Sequence, residues 1–225
     1  MKISSGLVLA LDVVEKARAL SVAAAVAGHI DAVKVGTPLV LSCGTGTIGE
    51  IAKNAYVLCD FKVADIPNTS RLVAAEAFKA GARGIICHAF PGKDSVAAVA
   101  EEAKRHGGDV FVVTEMSHPG ALEFMAGHAE AMAGLAKEAR AAGIIAPATR
   151  PEKVAALRAI VGDMQILSPG VGAQGGSASQ AIAAGADAII VGRSIYEAPE
   201  PAAAARKLAA EVKEARGKGG RGAVR

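Results

Sequence analysis

Two carboxylates and a lysine fall within six residues in Asp60-Phe61-Lys62-Val63-Ala64-Asp65, where an apolar run that starts at Tyr56 ends. Side chains alternate faces along a strand, so Asp60 and Lys62 should point one way and Cys59 and Phe61 the other. With Phe61 packed outward, Asp60 and Lys62 open together onto whatever lies beyond the strand end. A lysine between carboxylates stays protonated, because nearby negative charge favours its charged form. Such a group makes a poor nucleophile or Schiff base, which needs a depressed pKa. It suits a proton donor to a developing carbanion, its charge already aimed at that carbon. The bland alternative is an ordinary ion-pair group on a surface, but burying ammonium and carboxylate groups together is costly without a task for them.

The elements that must hold this cluster are legible from periodicity. Short β-branched runs recur between longer Ala-rich stretches with helical spacing, which is the pattern of repeated βα units. Eight strands are expected, at Leu7–Leu11, Ala32–Val35, Tyr56–Phe61, Gly84–His88, Val110–Thr114, Ile144–Pro147, Gln165–Ser168 and Ala188–Val191. Crossover helices are expected over Ser70–Lys79, Asp94–Arg105, Pro151–Ile160 and Pro201–Ala215, among others. The segments Ala80-Gly81-Ala82-Arg83-Gly84-Ile85-Ile86 and Ala184-Gly185-Ala186-Asp187-Ala188-Ile189-Ile190 echo each other, each with a glycine at a helix end before a strand. The expected fold is an α/β single-domain parallel (β/α)8 TIM barrel over residues 1–216, followed by a disordered basic tail, 217–225. An open doubly wound sheet is the alternative, but no Gly-x-Gly-x-x-Gly opens the first βα turn. The Gly-rich stretch Cys43-Gly44-Thr45-Gly46-Thr47-Ile48-Gly49 predicts a late or frayed helix after the second strand.

A barrel builds its active site at the C-terminal strand ends, so polar residues that close apolar strands are the candidates. Asp12 follows the first strand, Lys34 lies near the end of the second, His88 ends the fourth and Ser117 follows the fifth. Lys34, on the strand beside Asp60 and Lys62, would join them, with Asp65 one turn further on. Two glycine-bearing loops, Ser168-Pro169-Gly170-Val171-Gly172-Ala173-Gln174-Gly175-Gly176 and Val191-Gly192-Arg193-Ser194, follow the seventh and eighth strands. These are the usual phosphate loops of such a barrel, where backbone N–H groups approach an anion and arginine adds a charged fork. The alternative is a pair of tight turns with Arg193 in solvent. Gly172, Gly175 and Gly176 also make a hinge set for a lid that closes Gln174 over a ligand.

Bulk properties narrow the class. With 225 residues, 52% apolar and only 3% aromatic, the chain can build one core from small branched side chains. The net charge of +3 equals Lys218, Arg221 and Arg225 in the tail, so the body offers no basic face for nucleic acid. Three unevenly spaced cysteines, Cys43, Cys59 and Cys87, argue against a disulfide framework and for a reducing, cytoplasmic setting. Asp12 cuts the apolar run from Gly6 far below the length of a membrane span. No metal site is expected, because His88 and His118 lack partners at ligand spacing. His88 reads as a hydrogen-bonded residue of the barrel.

Taken together, these segments resemble the orotidine 5′-monophosphate decarboxylase family, in its short archaeal type. The matching residues are Leu9-Ala10-Leu11-Asp12, Val33-Lys34-Val35-Gly36, Asp60 to Asp65 with Ile66-Pro67-Asn68-Thr69, Thr114-Glu115-Met116-Ser117-His118-Pro119-Gly120, Ser168 to Gly176, and Val191-Gly192-Arg193-Ser194-Ile195-Tyr196. They keep the family's order over nearly the whole chain. The resemblance implies a cofactor-free loss of carbon dioxide in which Lys62 protonates C6 of the pyrimidine, with Asp60 beside the substrate carboxylate. It further implies that Lys34 holds Asp60 and the ribose, that Asp12 binds a ribose hydroxyl and that Ser117 touches the base. Pro169, Gln174, Gly192 and Arg193 belong to the substrate site in the same way, the last three at the phosphate. Asp65 and Thr69 would reach into the site of a partner subunit, so a homodimer follows.

The nearest rivals share the barrel and an Asp-x-Lys-x-x-Asp string: hexulose-6-phosphate synthases and ketogulonate-6-phosphate decarboxylases, which use magnesium. Gly36-Thr37-Pro38-Leu39 resembles theirs. Position 34 discriminates, because those enzymes place a metal-binding glutamate where this chain has Lys34, and a second lysine repels magnesium. A catalytically silent, nucleotide-binding barrel is the rival of another class, but such a chain need not keep Lys34, Asp60, Lys62 and Asp65 together.

Overall fold

Each of the eight apolar runs forms a strand in the computed structural model, which describes residues 1–218. The strands are β1 (Leu7–Leu11), β2 (Ala32–Gly36), β3 (Val57–Val63), β4 (Gly84–His88), β5 (Asp109–Val113), β6 (Gly143–Ile145), β7 (Gln165–Pro169) and β8 (Ala188–Val191). They pair in parallel in chain order, and β8 closes on β1, so the sheet is a barrel and not an open layer. The helices are α1 (Lys16–Val26), α2 (Thr37–Cys43), α3 (Gly46–Ala52), α4 (Pro67–Lys79), α5 (Lys93–Arg105), α6 (Ala121–Phe124), α7 (Ala129–Glu138), α8 (Pro151–Val161), α9 (Ala178–Ala183), α10 (Arg193–Tyr196) and α11 (Pro201–Lys218). None of them among the described residues is long and apolar enough to cross a membrane.

The core has two layers, set by strand alternation. Val8, Ala10, Ala32, Leu58, Ile86, Phe111, Val113, Ile145, Leu167, Ala188 and Ile190 fill the barrel. Their neighbours one residue along, such as Leu9, Val33, Cys59, Ile85, Val112 and Ile189, pack outward against the helices. Phe61 packs with this outer layer, leaving Asp60 on the inner side.

The echoed Ala-Gly-Ala segments end α4 and α9 in the same way. Gly81 (φ 110°) and Gly185 (φ 111°) take a positive φ that a side chain would strain. Ala82 N–H donates to Ala77 and Gly81 N–H to Phe78, and Ala186 and Gly185 repeat the pattern on Ala181 and Ile182, closing both helices as Schellman motifs. The Gly-rich stretch after β2 is not frayed but broken: Gly44, at φ 80°, separates two short helices, α2 and α3. At the chain's end, α11 runs two residues beyond the expected tail boundary, through Lys218, whose ammonium pairs with Glu214 one turn back (2.5 Å). The rest of the predicted tail lies outside the described residues.

Strand β3 departs from simple alternation. Its register with β4 shifts between Cys59 and Val63, and Lys62 sits at φ 45°, a left-handed conformation that costs a lysine of order 1 kcal/mol. A bulge, not a regular strand, aims Lys62.

Candidate active site

The register explains how one carboxylate comes to face two lysines. Asp60 lies level with Gly36, and Asp12 follows Leu11, whose partner is Val35, so Asp12, Gly36 and Asp60 share a level at the mouth. Lys34 starts one level deeper, opposite Leu58. Its stem climbs to bring Nζ 2.8 Å from Asp60 Oδ2 and 3.9 Å from Asp12 Oδ1. From the bulge above, Lys62 Nζ donates to both Asp60 oxygens, at 3.0 and 2.9 Å.

Lys34 and Asp60 are buried, each 8% exposed. Burial pushes the Asp60 carboxyl upward, but the charges of Lys34 and Lys62 and their hydrogen bonds outweigh it and hold the group below the usual carboxylate range. For Lys34, burial favours the neutral amine, yet Asp60 and Asp12 together raise its pKa above that of an ordinary lysine. The cluster is therefore charged and mutually held. Asp65 is not part of it within one chain. Its side chain is exposed and Oδ1 accepts from the Ile66 N–H at 2.7 Å; Thr69, half-buried on α4, also lies away from the cluster.

Gly36 is a residue of this site that composition did not reveal. A Cβ there would lie 2.6 Å from Asp12 Oδ1, so the missing side chain is what lets Asp12 turn toward Lys34. Gly36→Ala is expected to displace the half-exposed Asp12 and lower kcat/KM by about 10–10²-fold, the cost of a misplacement near 1 Å. Its unfolding temperature should stay near that of the parent chain. Steady-state kinetics beside a thermal melt check this, and an unchanged kcat/KM would mean that Asp12 tolerates the shift.

Above the cluster is a cavity of about 470 Å³, within the range of small-molecule sites. Asp12, Lys34, Asp60, Lys62, Ser117, Pro169, Gln174, Gly192 and Arg193 all line it, so residues from six different strand ends converge there. Ser117 Oγ donates to Gln174 Oε1 at 2.7 Å, joining the loop after β5 to the Gly-rich loop after β7. The β5 loop is itself held from below: Thr149 Oγ1 donates to the Ser117 carbonyl (3.0 Å), and Arg150 pairs with buried Glu115 (2.6 Å) and donates to the Met116 carbonyl. In the Gly-rich loop, Gly172 (φ 73°) and Gly175 (φ 85°) take left-handed conformations, but Gly176 does not.

The sequence reading missed Tyr196 and the apolar floor of the cavity, Ala10, Ile86, Val113, Ile145 and Ile190. Ala10 and Ile86 were findable, since they lie two positions before Asp12 and His88 and so face the same interior. Tyr196 is brought in by the single turn of α10 that follows Arg193. An apolar floor under a charged rim strengthens every electrostatic contact above it.

His88 corrects an expectation. It faces the barrel, but its Nδ1 is buried with no hydrogen-bond partner, while the ring leans on Phe90 with centroids 4.9 Å apart. Burial, helped by the positive charge of Lys62 and only partly offset by the negative charge of Asp60, lowers its pKa to about 4. The ring is neutral at physiological pH. Its folded pKa lies below the unfolded value, so the unfolded chain binds the proton more readily. Stability is complete above about pH 6.5 and is lost as pH falls toward 4. Replacing His88 by glutamine should flatten that acid limb by about 1–2 kcal/mol, allowing for relaxation around the buried charge. Urea unfolding of both chains at pH 7 and 4.5 reads this; parallel losses would assign the acid limb to other groups.

Cys59 and Cys87 are buried thiols whose pKa burial pushes up to about 12, so they act as small hydrophobes. Among the described residues no three His, Cys, Asp or Glu side chains converge where a metal ion could sit.

Residues 5–208 match the family described as Orotidine 5'-phosphate decarboxylase / HUMPS family. A protein of Methanosarcina mazei named orotidine 5'-phosphate decarboxylase is 54% identical over 220 residues, spanning 97% of this chain and 100% of its own. The crystal structure of orotidine 5'-monophosphate decarboxylase from Methanocaldococcus jannaschii, complexed with the inhibitor BMP, superposes with a TM-score of 0.89 at 42% identity, covering 94% of this chain and 99% of that one. That from Pyrococcus horikoshii does so at 0.85 and 45% identity, covering 92% and 99%. With the barrel, the paired lysines on one carboxylate and full-length relatives at this identity in agreement, the chain belongs to the orotidine 5'-phosphate decarboxylase / HUMPS family.

Proposed function

We propose that this chain converts orotidine 5′-monophosphate to uridine 5′-monophosphate, the last step of de novo pyrimidine nucleotide synthesis, by direct loss of carbon dioxide without a cofactor. The observation that carries the reading is the ammonium pair on Asp60: Lys34 at 2.8 Å and Lys62 at 2.9 Å. As the C6–carboxylate bond breaks, its electron pair stays on C6. Lys62 meets that charge with an ammonium already in place and then delivers its proton there, so little reorganisation is needed. Asp60 aims Lys62 and lies beside the departing carboxylate, while Lys34 balances the charge of Asp60 and reaches the ribose with Asp12. Ser117 contacts the base.

Pro169 lines the substrate cavity, and Gln174, the Gly192 backbone and Arg193 take the phosphate. Phosphate contacts far from the reacting carbon are then used to close and order the site. The nucleoside without its phosphate should fall by about 10²–10⁴-fold in kcat/KM, the worth of two charge-assisted hydrogen bonds, with kcat reduced as well. Equal turnover of the two substrates would remove the phosphate from catalysis.

The family is described jointly for orotidine 5'-phosphate decarboxylase and HUMPS, and the magnesium-using sugar-phosphate enzymes are the rival reading. Lys34 supports the decarboxylase reading, because an ammonium 2.8 Å from Asp60 repels a magnesium ion at that carboxylate. The site is completed by a second copy of the chain, whose Asp65 and Thr69 enter from the partner. Ile66, the residue after Asp65, is 66% exposed and supports an apolar contact at that rim. The enzyme acts in the cytoplasm, where its three free cysteines stay reduced.

The test follows loss of orotidine monophosphate absorbance with purified protein, with and without a chelator. Turnover indifferent to the chelator is expected. Absence of turnover would overturn the reading, and chelator-sensitive turnover would favour the magnesium-using rival.

A further inference from the structure

Two buried serines converge on one carbonyl beneath Asp65. Ser70, in the first turn of α4, is fully buried and donates from Oγ to the Asp65 carbonyl at 2.9 Å. Ser95, in the first turn of α5 and 3% exposed, donates to the same oxygen at 2.8 Å. The two hydroxyls are 3.0 Å apart, so two protons serve three contacts. A helical serine ordinarily returns its hydroxyl to the carbonyl four residues back. Neither does so here: Ser70 reaches five residues back, and Ser95 reaches across to a different βα unit.

We infer that Ser70 and Ser95 are positioning residues for Asp65, forming a clasp that holds its peptide with the carbonyl inward and the carboxylate outward over the rim. The inference rests on the two-chain site proposed above. A peptide pinned at its carbonyl has little freedom to rotate, so the side chain on the same Cα keeps one direction. The carboxylate is also tied to the Ile66 N–H at 2.7 Å, which limits its swing. Because α4 and α5 pack against each other, the clasp makes the two helix starts and the Asp65 turn one platform. A group delivered to another subunit's site has no neighbours of its own there to orient it before assembly; the clasp supplies that order from behind.

The test is a pair of mixed dimers, prepared by co-expressing two differently tagged chains and purifying through both tags. In the first, Lys62→Ala is combined with Asp65→Ala, which leaves one site with both groups intact. In the second, Lys62→Ala is combined with Ser70→Ala/Ser95→Ala. The serine variant alone should lose about 10–10²-fold in kcat. Its mixed dimer should recover to near half of the parent activity, since its Lys62 meets an Asp65 clasped by the other chain. Serine variants as active as the parent, or a second mixed dimer no better than half the serine homodimer while the first recovers, would overturn the clasp alone. Failure of the first mixed dimer would overturn the two-chain site, and the clasp with it. If the double variant does not fold, the single variants Ser70→Ala and Ser95→Ala, each keeping one hydroxyl, carry the same comparison.

Discussion

Lys62→Ala is expected to lower kcat by at least about 10⁴-fold while leaving the barrel folded, since the side chain combines general-acid and electrostatic roles that are each worth roughly 10²–10⁴ and 10²–10³. The fold should survive because Asp60 keeps Lys34 at 2.8 Å and because the Lys62 side chain is 40% exposed. KM should change far less than kcat, as the interaction lost is one that matters most once charge develops on C6. Backbone strain adds a second reading of the same position. At φ 45°, alanine is nearly as strained as lysine, whereas glycine is not. Lys62→Gly should therefore be more stable than Lys62→Ala by about 1 kcal/mol and no more active. Turnover by absorbance and urea unfolding of the two variants decide this. A Lys62→Ala chain within tenfold of the parent would place the proton donor elsewhere.

Asp60→Asn should damage both stability and activity. Lys34 is 8% exposed, and without Asp60 its nearest carboxylate is Asp12 at 3.9 Å. Breaking a buried ion pair from one side typically costs about 3–5 kcal/mol, and partial neutralisation of Lys34 sets the lower end of that range. The charged form of Lys34, now favoured by Asp60 and Asp12 against burial, loses its main support, so its pKa should fall. Turnover should drop by about 10²-fold or more, because Lys62 loses the two oxygens that aim it. Removing both buried charges, as in Lys34→Met/Asp60→Leu, should recover much of the stability and none of the turnover. Denaturant midpoints with kcat for the three chains form the measurement. A double variant less stable than either single would mean that the pair stabilises the fold outright.

The pH dependence of Asp60 has the same sign as that of His88 but a lower window. Its folded pKa lies below the unfolded value, so its stabilisation is present above the ordinary carboxylate range and is lost as pH falls through the folded value. His88 loses its contribution at higher pH, between about 6.5 and 4. The two limbs are therefore separable in an acid titration.

Much of the molecule was legible in the chain itself. The eight strands, the barrel they close and the echoed helix ends depend on local rules: β-branched runs, helical spacing, and glycine where φ must be positive. The placement of polar residues at strand ends likewise follows from alternation and was readable as a list of candidates. Local rules could not supply what depends on register and on surroundings. The bulge that aims Lys62 arises from a shift between β3 and β4, a relation between strands that no single strand encodes. Whether His88 finds a partner, whether Gly36 yields space to Asp12, and whether two serines from different units meet one carbonyl are all questions of distance across the barrel. Sequence by itself determined which groups stand at the mouth and the chemistry they suit. Only the tertiary structure decided which of them touch, because contact depends on how closure staggers eight strands, and that stagger is a property of the whole sheet.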